Sequence, residues 1–178
     1  MTLTIKPGDN VQWWVDSSYA AHLDMQSNSG IVMTLGRGFT YSTSCKQKIN
    51  MKSFMEAELV AINDAMGQIL WTRHFLAAQG MAIPNTTIYQ DNKSMILLAE
   101  NATTSSSRCT KHLDGRYFFV MDKIKNGEVK LAYCPTGNML ADFFTKPIQG
   151  NTFIQTQEKI LNLPSGTGTT VQRSVLRS

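Results

Sequence analysis

The sequence predicts an α/β fold in which a mixed β-sheet carries helices on its two faces. Three observations lead there. Apolar runs and helical patterns follow one another as three strands, a helix, a strand, two helices, a strand and a helix. An early hairpin is followed by alternating helices and strands, the pattern of a mixed sheet. The chain of 178 residues, 42% hydrophobic, is long enough for one well-filled core.

Each element has a local reason. Residues 11–15, Val-Gln-Trp-Trp-Val, read as a strand that ends at Asp16, and the polar stretch 17–28 reads as a loop. Residues 30–35 and 39–44 form two strands joined through Gly36-Arg37-Gly38, a hairpin connection. Ser53 opens a long helix running to about Gln79. Leu59, Ile62, Met66 and Ile69 follow helical spacing within it, and Gly80 supplies a stop. After Pro84 a short strand over 86–89 delivers Asp91, and a helix over 93–101 follows.

Residues 102–110, rich in Ser and Thr, read as a flexible connection. A helix over 111–125 closes at Asn126-Gly127, weakened at Gly115 by about 1 kcal/mol relative to alanine. Residues 129–133 form the fifth strand, and Cys134-Pro135-Thr136-Gly137 turns the chain into a short helix carrying Asp142. A last helix is expected over 152–161. These boundaries predict a leader over 1–10, one domain over 11–163, and a disordered, low-complexity tail over 164–178.

Composition narrows the function. No apolar run approaches the roughly 18–20 residues of a membrane span, and the N-terminus lacks a signal-peptide pattern. Cys45, Cys109 and Cys134 are odd in number and form no Cys-x-x-Cys pair, which points to idle thiols in a reducing interior. The formal charge of +4 permits a polyanionic partner. Its distribution is uneven: Arg108, Lys111, His112, Arg116, Lys123 and Lys125 crowd one segment, as a phosphate-binding face or as a solvated basic helix.

Four acids, Asp16, Glu58, Asp91 and Asp142, stand beside the ends of strands or helices and lie far apart in sequence. Carboxylates placed this way suit a folded cluster that holds a hard divalent cation such as Mg²⁺. Near one of them, Ser53-Phe54-Met55-Glu56 has the form of a capping box, which makes Glu56 a helix cap. Glu58 shares a helical stripe with Ile62, Ala65 and Ile69, whereas Glu56 points along Val60, Asn63 and Gly67. Glu58 is therefore the favoured ligand, with Glu56 as the competing residue.

Six segments carry a resemblance. They are Trp14-Val15-Asp16-Ser17-Ser18-Tyr19, Ser44-Cys45-Lys46-Gln47-Lys48, Glu56-Ala57-Glu58, Gln90-Asp91-Asn92-Lys93-Ser94, Thr110-Lys111-His112-Leu113-Asp114 and Ala141-Asp142-Phe143-Phe144-Thr145-Lys146-Pro147. In this order, over about 11–161, the chain resembles the ribonuclease H domain of copia-type LTR retrotransposon Pol polyproteins. The resemblance implies the ribonuclease H-like fold, a five-stranded mixed sheet flanked by helices. It implies endonucleolytic hydrolysis of the RNA strand in an RNA–DNA hybrid during reverse transcription. It also implies a reverse transcriptase domain in the same polyprotein as partner, a monomeric isolated domain, and a cytoplasmic virus-like particle as the setting.

By the same resemblance, two Mg²⁺ ions, for which Mn²⁺ can substitute, clamp an in-line displacement from roughly 3.5–4 Å apart. Asp16 is to bridge both ions and Asp91 to hold the one nearer the attacking water. Glu58 binds the one nearer the leaving group, and Asp142 completes the other site. Asn92 is placed to contact a 2′-hydroxyl or phosphate, or else to cap the helix that follows. Lys111, His112 and Arg116 suit phosphate contact, although His112 could equally be structural. Lys46, Lys48 and Lys52 could flank the hybrid, and Trp13, Trp14 and Trp71 read as core.

The chain departs from the family pattern in two places. The loop over 134–138 has no histidine, and Ser53-Phe54-Met55 and Gly115 replace residues usual in the family. None of these departures touches the four acids. The runner-up function is a degenerate module of the same fold that binds nucleic acid or supports a polymerase without cutting. A third, an integrase core or exonuclease, shares the acid chemistry.

Overall fold

The computed structural model describes residues 6–81, 86–100 and 111–163. Five strands, β1 (Lys6–Ser18), β2 (Asn28–Arg37), β3 (Phe39–Lys46), β4 (Thr86–Gln90) and β5 (Val129–Tyr133), form one sheet in the order β3-β2-β1-β4-β5. β1–β2 and β2–β3 are antiparallel, whereas β1–β4 and β4–β5 are parallel. The sheet is mixed, as the hairpin-then-crossover order predicts. β1 and β4 lie side by side at its centre, so Asp16 and Asp91 come out at the same end of two neighbouring parallel strands.

The helices are α1 (Phe54–Ala78), α2 (Lys93–Glu100), α3 (Lys111–Lys125) and α4 (Gly150–Leu161). Strand alternation separates two packing layers. On one face Trp13, Val15, Ile31, Met33 and Ile88 pack against Ile62, Met66 and Ile69 of α1 and Val120 of α3. On the other, Val32 and Phe39 gather Met139, Ala141 and Cys134, with Trp14, Phe144 and Ile160 of α4 at the margin. Each fully buried aliphatic side chain of α1 contributes about 1.5–3 kcal/mol by leaving water, against about 1 kcal/mol for a typical cap, and α1 buries several of them. Packing therefore sets the long helix, and the caps set its ends.

Those ends are well defined. Ser53 is extended and its Oγ accepts the Glu56 N–H at 3.3 Å, while the Glu56 carboxylate accepts the Lys52 N–H at 2.7 Å. At the other end Gly80 takes φ +79°, a backbone that a Cβ would strain. Met81 N–H then reaches Leu76 C=O at 2.9 Å and Gly80 N–H reaches Ala77 C=O at 3.0 Å, closing the helix as a Schellman motif.

Three features differ from expectation. β1 starts at Lys6, ahead of the expected start at 11, and an irregularity between Pro7 and Val11 absorbs the turn-forming residues Gly8, Asp9 and Asn10. The segment carrying Asp142 is not α-helical. It is a pair of 3-10 turns, Thr136–Asn138 and Leu140–Phe144, confined between Pro135 and Pro147. Trp71 is 58% exposed and stacks on Phe75 instead of joining the core. It sits two residues past Ile69, about 200° round the helix, and so faces away from the sheet.

Among the described residues no helix is long and apolar enough to cross a membrane. Residues 1–5, the connection over 101–110 with Cys109, and the tail over 164–178 lie outside the described residues. Cys45 and Cys134 are free thiols, and burial pushes both above the ordinary thiol range.

Candidate metal centre

The central strands and α1 bring three carboxylates together. Oxygens of Asp16, Glu58 and Asp91 all lie within 4.8 Å of one another. Asp16 sits near the end of β1, Asp91 follows β4 directly, and Glu58 lies in the second turn of α1 on the stripe that packs against the sheet. Asp16 is 1% exposed and Glu58 6% exposed, whereas Asp91 reaches the opening. A cavity of about 480 Å³ opens over them, also lined by Ser17, Tyr19, Phe54, Asn92 and Lys146.

Each acid is held by a neighbour. Glu58 accepts the Gln90 side-chain amide at 2.7 Å and the Ser17 N–H at 3.4 Å. Gln90, fully buried at the end of β4, also accepts the Asp91 N–H at 2.9 Å, so one side chain sets two of the acids. Asp91 accepts the Thr136 hydroxyl at 3.0 Å, and Asp16 accepts the Thr145 hydroxyl. Glu56 takes no part in this arrangement and serves the start of α1.

Asp142 enters from the 3-10 turn on the other layer. Lys146 Nζ donates to Asp142 Oδ1 at 2.7 Å and lies 3.5 Å from Asp16 Oδ2, so Asp142 joins the cluster through a lysine. The turn is docked on the edge of the sheet by the Phe144 carbonyl, which accepts Asn28 Nδ2 at 3.0 Å and the Ser44 hydroxyl at 2.6 Å. Gly30 permits that approach. A Cβ there would stand 2.6 Å from Thr145 Cγ2 and 2.8 Å from the Ala141 carbonyl.

The electrostatics follow from burial. Burial pushes the Glu58 carboxyl up to about 8; the charge of Asp16 adds to this, and the Gln90 and Ser17 hydrogen bonds only partly offset it. Asp16 is raised to about 7, again chiefly by burial, with Thr145 and Lys146 opposing and Asp142 and Asp91 reinforcing. For Lys146 burial alone would act downward, but its bond to Asp142 and the charges of Asp16, Asp142 and Asp91 outweigh it and raise the ammonium. Two buried acids of raised pKa facing a third are poorly compensated without a cation. Hard oxygen donors at this spacing suit a divalent ion, and the buried Ser17 hydroxyl beside them has no hydrogen-bond partner. The donor set fits such an ion.

The fold is found in known structures. A compost-derived ribonuclease H1, LC11-RNase H1, superposes with a TM-score of 0.55 at 12% identity, covering 77% of this chain and 93% of that one. The same enzyme in complex with an RNA/DNA hybrid gives 0.54 at 12% identity, over 76% and 93%. The fold is that of ribonuclease H. The protease–reverse transcriptase of prototype foamy virus matches too, with a TM-score of 0.52 at 14% identity, over 82% of this chain and 22% of that one.

In sequence, the homologues of this ribonuclease H-fold chain are copia-type retrotransposon Pol polyproteins. The Pol polyprotein of transposon TNT 1-94 from Nicotiana tabacum is 28% identical over 141 residues, 79% of the chain. That of transposon RE2 from Arabidopsis thaliana is 26% identical over 160 residues, 89% of the chain. The chain spans 10% of the length of either relative. No family model matches it.

Of the residues singled out from sequence, Asp16, Glu58 and Asp91 converge directly and Asp142 converges through Lys146. Asn92 lines the cavity, and its Oδ1 accepts the Met95 N–H at 3.1 Å, so it caps α2 as well. Arg116 does not line the cavity; it is half-buried on α3, where its charge acts on Asp64 of α1. Lys46 is paired with Asp24 at 2.5 Å. The side chains of Lys111 and His112 lie outside the described residues. Sequence reasoning assigned no role to Gln90, Thr136, Thr145 or Lys146. All but Thr136 belong to the quoted motifs, and each is adjacent to or a few residues from an acid or a strand end.

Proposed function

We propose that the chain is a metal-dependent endoribonuclease that hydrolyses the RNA strand of an RNA–DNA hybrid. The observation that carries this reading is the convergence of Asp16 and Asp91, at the ends of two adjacent parallel strands, with Glu58 of α1, under an open cavity. It is supported by the ribonuclease H fold and by the hybrid held by LC11-RNase H1. The reverse transcriptase domain of a longer polyprotein is the proposed partner, in keeping with Pol relatives of which the chain spans 10%.

Asp16, Glu58 and Asp91 would hold the cation, with Asp142 at the margin. A bound divalent cation supplies charge for the scissile phosphate and lowers the pKa of water. The protein's own groups prepare the site. Gln90 orients Glu58 and Asp91 together, and Thr145 orients Asp16, so the carboxylates need little rearrangement when loaded. Asn92 uses its Oδ1 to cap α2, which leaves its amide hydrogens as donors for a phosphate or 2′-hydroxyl at the cavity wall. Tyr19 and Phe54, with ring centroids 4.6 Å apart, form an apolar lip on the cavity against which a sugar can rest.

The test is cleavage of an end-labelled RNA–DNA hybrid in Mg²⁺, Mn²⁺ or EDTA, with Asp16→Asn in parallel. Metal-dependent cutting of the RNA strand alone, abolished in Asp16→Asn, is the expected result. Hybrid binding without cutting would move the chain to the non-catalytic module, and cutting of duplex DNA to another nuclease of the same fold.

A further inference from the structure

The outward face of α1 is not built to meet water. Ile62, Met66, Ile69 and Leu76 are buried along the stripe that faces the sheet. On the far side Trp71 and Phe75 stand 58% and 48% exposed, stacked with ring centroids 5.1 Å apart. One turn before Trp71, in the middle of the helix, is Gly67, a poor helix former in that position. It is exposed, and a Cβ on it would meet nothing within 4 Å. Neither a turn nor close packing inside the chain asks for glycine there. The result is a large aromatic knob beside an open notch.

The spacing is as informative as the residue types. Asp64, Gly67, Trp71, His74 and Ala78 are all exposed and follow one another at steps of three, four, three and four. That is the seam spacing of two helices packed knobs into holes. The stripe is also complementary to itself. An antiparallel second copy, related by a two-fold axis at the level of Ile69, sets Trp71 in the layer of the partner's Gly67. It sets His74 in the layer of the partner's Asp64, so that an imidazole N–H faces a carboxylate. Asp64 is steadied at the edge of this face by the Ser29 hydroxyl, which donates to it at 3.4 Å. Both matches repeat across the axis, as an isologous interface requires.

We propose that the outward face of α1 is a dimer interface that takes a second copy of this chain, antiparallel, with each Trp71 seated at the other copy's Gly67. The isolated chain would then not be the monomer that the resemblance implies. Glycine lets the two backbones approach, the stacked aromatic pair supplies the apolar area, and the polar layer sets the register. Glu58 lies on the opposite side of α1, so both acid cavities stay open in the dimer. One helix pair buries less than a standard interface, so assembly is concentration-dependent.

Sedimentation velocity of the whole 178-residue chain over a range of concentrations, without metal or nucleic acid, tests this. The expected weight-average mass climbs from 19.8 kDa towards twice that value. Acrylamide quenching of tryptophan emission should fall in step, since Trp71 is the most exposed tryptophan and becomes covered. Gly67→Leu fills the notch without meeting anything inside the chain, and should weaken association by about ten-fold or more while melting no lower than wild type. Trp71→Ala should weaken it similarly. His74→Asp, which opposes like charges, should weaken it several-fold, and His74→Lys should not. A mass that stays at 19.8 kDa at every concentration overturns the inference and leaves the nuclease reading untouched, because no cleavage is involved. A dimer that survives both Gly67→Leu and Trp71→Ala also overturns it, since the copies then meet elsewhere. A dimer weakened by those two but indifferent to the charge at position 74 overturns the two-fold register.

Discussion

Replacing Glu58 with glutamine should stabilise the metal-free protein at alkaline pH while destroying its affinity for metal. In the folded, metal-free chain Glu58 titrates at about 8, against an ordinary value of 4.5. Between those values the unfolded chain has released the proton and the folded chain still holds it. The folded state then binds more protons, so its stability is full below the lower value and falls as pH rises through the window. At 1.36 kcal/mol per pH unit, a displacement of this size costs at most about 4 kcal/mol near pH 8, and roughly 2–4 kcal/mol once the site relaxes. For a chain of this length that corresponds to a melting temperature lower by about 5–15 °C.

Glutamine imitates the protonated acid. It keeps one oxygen acceptor for Gln90 or Ser17 and puts a donor where the other carboxylate oxygen stood. Thermal unfolding followed by circular dichroism in EDTA, from about pH 5 to about pH 8, should fall steeply for wild type and less steeply for Glu58→Gln. A residual slope remains in the mutant because Asp16 is itself raised to about 7. Saturating Mg²⁺ should flatten the wild-type curve and leave the mutant unmoved, since only deprotonated carboxylates bind the ion. A wild-type curve flat in EDTA, or a mutant that falls as steeply as wild type, would refute the claim that burial of Glu58 opposes its charge.

Two further substitutions probe the supports of the cluster. Gln90→Leu removes the side chain that bonds both Glu58 and the Asp91 N–H, and should weaken Mn²⁺ binding by roughly 10–100-fold in calorimetry with the fold retained; an affinity within a factor of two would show that the acids align without it. Gly30→Ala drives a Cβ against Thr145 and the Ala141 carbonyl, and should cost about 1–3 kcal/mol in urea unfolding and weaken metal binding as the Asp142 turn lifts. A change under about 0.5 kcal/mol would mean that the turn yields freely.

The sheet and the long helix could be read from the chain because their signals are local. The alternation of Trp13 and Val15 with Trp14, the stripe of Ile62, Met66 and Ile69, the Ser53 cap and the Gly80 stop each depend on neighbours within a turn or a pleat. The same stripe separated Glu58 from Glu56 before any contact was known. Sequence similarly placed Asp16 and Asp91 at strand ends. What it could not supply is how the last turn meets the sheet. Thr145 reaches Asp16 across 129 residues, and the Phe144 carbonyl meets Asn28 and Ser44 across 116 and 100. No periodicity spans such distances. That Gly30 is needed for close approach, that Gln90 serves two acids, and that Lys146 bridges Asp16 and Asp142 were decided by packing of one layer on another. So was the exposure of Trp71, which reads as core in the sequence. The sequence by itself determined which residues could form each strand, helix and cap, because those choices rest on local backbone and burial preferences. Only the tertiary structure decided which charges share one cavity, because that depends on how distant elements dock.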